Sequence, residues 1–247
     1  MILAETNVHP AESQHWYDRA GNPAYDMKGA NGNMRPVTLR DARKLGLLPS
    51  VTSIIRQAAA PGLERWKMTQ AVLAALTHPG LKGTDDDVNM ILKDAAEQGK
   101  KAAELGTIIH AALQDGDIEG EYARHVVAAQ NVIDEHFGSH GWSYEDSFSH
   151  PLGFGGKVDA FSVNIVVDYK TTDKDLATIK TWPEHAYQLA AYREGMSMPQ
   201  ARCAIVYVAI DGSGAKVCEL SAEKLEQGWR CFRALLDFFY AKTGLSR

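Results

Sequence analysis

The stretch that most restricts the fold of this chain is Gly155 to Thr172, GGKVDAFSVNIVVDYKTT. Two runs rich in Val, Ile and Phe flank Ser162-Val163-Asn164-Ile165, and this spacing predicts an antiparallel hairpin. If the chain turns symmetrically about Val163-Asn164, Asp159 comes directly opposite Asp168, with Cβ atoms roughly 5 Å apart. Alternation sets Lys157, Asp159 and Phe161 on one face of the first strand, and Val166, Asp168 and Lys170 on the same side of the second. A slip of one residue would send each of these side chains to the other face.

Carboxylates directly opposed across a sheet repel, so the arrangement calls for a cation, and oxygen donors of this kind suit Mg²⁺ or Mn²⁺. Charges in a D…DxK hairpin also commonly point to solvent, and a three-residue loop would break the register, so the hairpin alone leaves both readings open. Phosphodiester hydrolysis at neutral pH needs a hydroxide equivalent, neutralisation of the non-bridging oxygens and help for the departing alkoxide. Carboxylate-bound metal ions can supply all three. Lys170 would add a positive charge beside the reacting phosphate, or serve simply as a counter-ion to Asp168. One ion and two are equally compatible with the pattern.

At 247 residues, 45% apolar and 23% charged, the chain is long enough for one large α/β domain with an N-terminal elaboration. We divide it into an elaboration over 1–83, a hairpin and helices that could guide a DNA strand, and a core over 84–247, the two forming one compact unit. No apolar run approaches the length of a membrane span and residues 1–30 lack the marks of a leader, so a cytoplasmic location is the expectation. A net charge of −5 argues against coating nucleic acid by bulk charge and leaves DNA contact to a local basic patch. Cys203, Cys218 and Cys231 contain no CxxC pair, so neither a disulfide framework nor a zinc or iron–sulfur site is indicated.

Along the chain, His15 to Tyr25 reads as a small hairpin turning at Gly21-Asn22-Pro23, followed by a Gly/Asn-rich loop through Asn33. A short helix over Arg40–Leu47 stops near Gly46. The next helix starts near Ser53 behind a Ser50-Val51-Thr52 cap and resumes after Pro61 toward Leu76. Helical spacing of Val88, Leu92, Ala95, Ala102, Ile109 and Leu113 predicts a long helix that Gly99 or Gly106 would divide. Tyr122–Phe137 is helical and Trp142–His150 is a strand preceding the hairpin. Then come a helix over Pro183–Met196, strands over Ala201–Ile210 and Ala215–Leu220, and a closing helix to Lys242 capped by Ser221. This order predicts a mixed sheet flanked by helices.

Two further positions complete a constellation. His110 interrupts the apolar face of Ile109 and Leu113, and Gln188 and Tyr192, four apart, share a helix face from which they could meet a phosphate or orient Lys170. The ordered series Gly106-x-x-x-His110, Gly155-Gly-Lys-Val-Asp159, Val167-Asp168-Tyr-Lys170-Thr and Gln188-x-x-x-Tyr192 resembles the RecB-like branch of the PD-(D/E)XK nuclease superfamily, which includes lambda-type and mitochondrial genome maintenance exonucleases. The likeness covers about Gly99 to Lys242. Upstream, Leu48-Pro-Ser-Val-Thr-Ser-Ile-Ile55 with Leu63-x-x-Trp66 resembles the entry segment of some phage and mitochondrial members.

The resemblance implies a restriction-endonuclease-like α/β fold and a metal site formed by Asp159, Asp168, His110 and the backbone carbonyl of Tyr169. It further implies that Lys170 positions or deprotonates the attacking water, and that Gln188 and Tyr192 support the site and contact DNA. The second acid is Asp168 where a Glu is common, and the cysteines that hold an iron–sulfur cluster in some relatives are missing, so no such cluster is expected. Glu145 could join the metal shell through water or stand exposed on its strand. Arg56, Arg65, Trp66 and Lys67 could hold the incoming strand, with Trp66, Trp16 or Tyr17 stacking on bases, although core packing is the ordinary fate of Trp66. Ser50 and Thr52 could donate to a phosphate or simply cap a helix.

The function these readings imply is a Mg²⁺- or Mn²⁺-dependent DNA exonuclease of recombination, replication or repair, of the kind phages carry. Its partners would be linear DNA with ends and a recombination protein such as a single-strand annealing or binding protein, with no membrane. The alternatives are a structure-selective or restriction-type endonuclease, and a catalytically silent DNA-binding module of the same fold.

Overall fold

The computed structural model describes residues 15–59, 61–78 and 80–247. The chain opens with β1 (Trp16–Tyr17), after which β2 (Asp26–Lys28) and β3 (Met34–Pro36) form a small hairpin where the sequence reads only as loop. The Gly29 N–H donates to the Asn33 carbonyl at 2.8 Å and closes its turn. Helix α1 (Leu39–Leu45) starts on a reciprocal Thr38–Asp41 cap and stops at Gly46, whose φ of 65° suits glycine. β4 (Leu48–Pro49) pairs with β1, and α2 (Val51–Ile55) starts where Ser50 Oγ accepts the Ser53 N–H at 3.0 Å.

Helix α3 (Pro61–Thr77) packs along α4 (Asp85–Asp115). α4 runs its 31 residues without the division that its glycines predict. Tertiary contact explains the difference: a Cβ on Gly99 would lie 3.4 Å from the Trp66 ring, and one on Gly106 would lie 3.1 Å from Thr171 Oγ1. The glycines admit neighbours rather than break the helix, and the remaining turns outweigh a cost of ~1 kcal/mol each. α5 (Ala123–Phe137) follows and leads to the sheet.

The sheet consists of β5 (Ser143–His150), β6 (Phe154–Ser162), β7 (Ile165–Thr172), β8 (Arg202–Ala209) and β9 (Ala215–Leu220), in that spatial order. α6 (Pro183–Gly195) is the crossover that lets β7 and β8 run parallel, the other pairs being antiparallel, and α7 (Ala222–Thr243) closes the chain. The result is the mixed sheet flanked by helices that the element order predicts.

β8 shows how the layers form. Cys203, Ile205 and Tyr207 enter a core shared with α2, α6 and α7, whereas Ala204, Val206 and Val208 enter a second core with α4 and α5. Burial on both faces accounts for its unbroken apolar run. Each fully buried Phe or Ile, such as Phe154, Phe232 or Ile205, contributes about 1.5–3 kcal/mol. Trp16, Val51 and Ile54 belong to the first of these cores, so packing continues across residue 83. α3, by contrast, buries no residue fully. Among the described residues no helix is long and apolar enough to cross a membrane.

Candidate active site

The β6–β7 hairpin has the register its turn predicts: Ser162 pairs with Ile165, Phe161 with Val166 and Ala160 with Val167. Asp159 and Asp168 would be the next pair, but the ladder stops one step short of them. On the other side of β6, Tyr144 pairs with Ala160 and Asp146 with Val158, while Glu145, across from Asp159, adopts φ 55°. Regular pairing is therefore interrupted at Asp159 on both edges. Val158 packs into the α6–α7 core and Ala160 into the α4–α5 core, although residues two apart in a regular strand share a face.

This interruption builds the site. Freed from the ladder, Asp159 Oδ2 accepts the Tyr169 N–H at 2.9 Å. His110 reaches it from α4, with Nδ1 3.7 Å from Asp159 Oδ2 and its ring edge-on to Tyr169. Asp168 lies on the α6 side, where Oδ1 accepts Gln188 Nε2 at 2.7 Å, and Gln188 Nε2 also donates to Tyr192 Oη at 2.9 Å. Lys170 Nζ contacts Asp168 Oδ2. Helices on opposite faces thus both contribute, which an uninterrupted sheet would prevent.

The electrostatics follow from burial. Asp168 is 1% exposed, and burial pushes its carboxyl up to about 6 against the lowering pull of Lys170, with Asp159 adding repulsion. Burial likewise raises Asp159, opposed by Lys170, the Tyr169 N–H and Lys157. For Lys170, burial works to lower the ammonium, but Asp168 and Asp159 outweigh it and hold it above its ordinary value. His110 is lowered by burial and by Lys170, which favours the neutral ring with a free lone pair.

Among the described residues no three His, Cys, Asp or Glu side chains stand together as a finished coordination set. The chemistry present nevertheless fits a hard divalent cation. Asp168, which is buried, and Asp159, which is half-buried, both feel the charge of Lys170, and among the described residues Asp168 Oδ2 accepts no regular hydrogen bond beside its Lys170 contact. Mg²⁺ is commonly held by one or two carboxylates, with water and substrate phosphate completing its shell.

Beside this site lies a cleft of about 190 Å³, lined by His15, Tyr17, Tyr25, Ser50, Thr52, Lys157 and Tyr192 among others. Tyr17 and Tyr25 share a hydroxyl hydrogen bond of 2.7 Å, and His15 stacks on Tyr25. A Cβ on Gly155 would lie 2.6 Å from Tyr17 Cβ, so glycine there is what lets the N-terminal segment seat on β6. Tyr192 links the cleft, through Gln188, to Asp168.

Several candidate residues lie elsewhere than the sequence places them. Trp16 is completely buried and offers no ring to a base, whereas Tyr17 does line the cleft. Trp66 is 38% exposed and rests on Gly99, contrary to the expectation of core packing. Arg65, Trp66 and Lys67 lie on the exposed start of α3 and do not line the cleft. Arg56 ends α2, and its charge reaches His15. Ser50 caps α2 and also faces the cleft, as does Thr52, whose Oγ1 lies 3.0 Å from Ser50 Oγ. Gln188 and Tyr192 are buried, with Gln188 bonded to both Asp168 and Tyr192, and Tyr192 also lines the cleft. Sequence reasoning gave no role to Lys157, His15 or Tyr25. The available signals were the two-residue spacing of Lys157 from Asp159 and the aromatic content of the first segment.

No family model and no curated protein matches the chain. Solved structures with some likeness include an alkaline exonuclease, LHK-Exo, from Laribacter hongkongensis, at 14% identity over 73% of this chain and 98% of that one, with a TM-score of 0.34. Another is a protein from Eubacterium rectale whose name carries a provisional exonuclease assignment, at 15% identity over 66% of this chain and 64% of that one, also with a TM-score of 0.34. Likeness at this level carries no argument for activity. The functional reading rests on the side chains themselves.

Proposed function

We propose that this protein is a divalent-metal-dependent DNA nuclease of the RecB-like PD-(D/E)XK type, acting as an exonuclease on linear ends. The observation that carries the reading is the convergence of Asp159, Asp168, Lys170 and His110 at the one point where the β6–β7 ladder opens. Asp159, Asp168 and His110 would hold Mg²⁺ or Mn²⁺, which when bound supplies a hydroxide equivalent and neutralises phosphate charge. Lys170, held charged by the two aspartates, presents its ammonium to the reacting phosphate and orients the attacking water. Gln188 fixes the rotamer of Asp168, and Tyr192 fixes Gln188, so both act as positioning residues behind the site. The cleft beside Tyr192, at about 190 Å³, is far too small for a duplex, and that supports the reading of a single strand entering from an end.

The test is digestion of 5′- and 3′-labelled linear DNA and of covalently closed circles, with Mg²⁺ or with EDTA. Linear DNA should be degraded from an end only with Mg²⁺, and circles should survive. Cleaved circles would replace the exonuclease reading with an endonuclease, and intact linear DNA under every metal condition would remove the nuclease reading.

A further inference from the structure

Glu145 stands out among the described residues. Three non-glycine residues have positive φ, and the other two, Asn164 and Ser197, sit in turns, whereas Glu145 lies within a strand. Glutamate has no intrinsic preference for that backbone conformation, and glycine would adopt it without strain. What glycine would lack is the carboxylate, and here the carboxylate pairs with Lys157 Nζ.

Lys157 stands two residues before Asp159 on β6 and lines the cleft with Ser50, Thr52 and Tyr192. Its charge acts on both Asp159 and His15, and His15 lines the same cleft. Without a tether, so flexible an ammonium would be drawn toward Asp159, whose carboxylate its charge already reaches. The Glu145 contact holds it on the cleft side, and its side chain remains 37% exposed there.

Building on the nuclease reading, we infer that Lys157 is a second phosphate-contacting cation, which grips the backbone phosphate next to the scissile one, and that Glu145 is the positioning residue that aims it. Lys170 serves the reacting phosphate and Lys157 its neighbour, so loss of Lys157 weakens the grip on the strand and leaves the chemical step in place.

The sign of one substitution separates positioning from plain charge. Glu145→Gln removes a negative charge, and simple electrostatics would tighten DNA binding. Positioning predicts the opposite, a KM raised about 3- to 10-fold with kcat within about 2-fold. Lys157→Gln should raise KM about 10-fold. Its binding to a 5′-phosphorylated oligonucleotide in EDTA, followed from 50 to 200 mM NaCl, should show a log–log salt slope shallower by about 1. The double variant should match Lys157→Gln alone, since Glu145 acts only through Lys157. Glu145→Gly guards against misfolding: it relieves the backbone, so its Tm should equal or exceed the parent's while its KM rises as in Glu145→Gln. Tighter binding by Glu145→Gln, or parental KM and salt slope in Lys157→Gln, would overturn the inference alone. A parent protein that neither binds nor cleaves DNA overturns the nuclease reading and this inference with it.

Discussion

Gln188 Nε2 donates to Asp168 Oδ1 at 2.7 Å, and both side chains are buried. The crossover helix α6 therefore fixes the orientation of an acid carried by the central strand β7. Replacing this amide by an apolar group of similar size, Gln188→Leu, leaves Asp168 Oδ1 and the Tyr192 hydroxyl without their shared donor. A buried acceptor left unsatisfied costs about 1–3 kcal/mol. Urea unfolding should show a loss of that size, and DNA cleavage should fall further than the fraction unfolded accounts for.

Lys170→Ala removes the sole cation contacting Asp168 among the described residues. Cleavage in Mg²⁺ should fall by about 100-fold or more, as for other groups that act on developing charge, while binding measured in EDTA stays detectable. Parental cleavage by this variant would show that Lys170 is a counter-ion only.

Asp168→Asn keeps the shape of the side chain and removes a charge that burial already disfavours. Without metal, its stability should fall by no more than about 1–3 kcal/mol, because losing a carboxylate that burial disfavours offsets part of the cost of leaving Lys170 without its partner. In 10 mM Mg²⁺ the parent's Tm should rise through binding to the folded state alone, and the variant's should not. An equal rise in both would place the ion elsewhere.

His185 offers a pH test away from the aspartates. Its Nδ1 accepts the Trp182 N–H at 3.2 Å and lies 3.3 Å from Tyr207 Oη, and burial, aided by Lys170, lowers it from 6.5 to about 4. The folded state binds this proton less readily than the unfolded chain, so the stabilisation is complete above pH ~6.5, declines as pH falls toward 4, and is gone below that. The parent should lose roughly 2–4 kcal/mol from this group over that interval. His185→Asn, which keeps an acceptor near the Nδ1 position, should decline less steeply in urea titrations at pH 7 and 4.5. Parallel curves would show that His185 is not the group responsible.

Gly228 permits the close approach of α7 to α6, since a Cβ there would overlap the Ala186 carbonyl. Gly228→Ala should destabilise by about 1–3 kcal/mol as the helices separate. Because α6 carries Gln188 and Tyr192, kcat should fall as well, although the substitution is made on α7. A change confined to stability would show that α6 moves as a rigid unit with the sheet.

Much of the architecture can be read from short-range pattern. Alternation about Val163-Asn164 determines the hairpin register, caps at Ser50 and Ser221 set helix starts, and the order of elements determines a mixed sheet. These features depend on neighbours a few residues apart, and their periods are written in the chain. The same pattern gathers Asp159, Asp168 and Lys170 on one hairpin. Only tertiary packing decides that pairing breaks at Asp159, that Glu145 takes a left-handed backbone opposite it, and that His110 and Gln188 arrive from opposite faces. It also decides that α4 continues through Gly99 and Gly106, where Trp66 and Thr171 fill the space, and that Trp16 is buried while Trp66 is not. Each of these outcomes depends on contact between segments far apart in sequence, and the residues themselves carry no period or cap that records such a meeting.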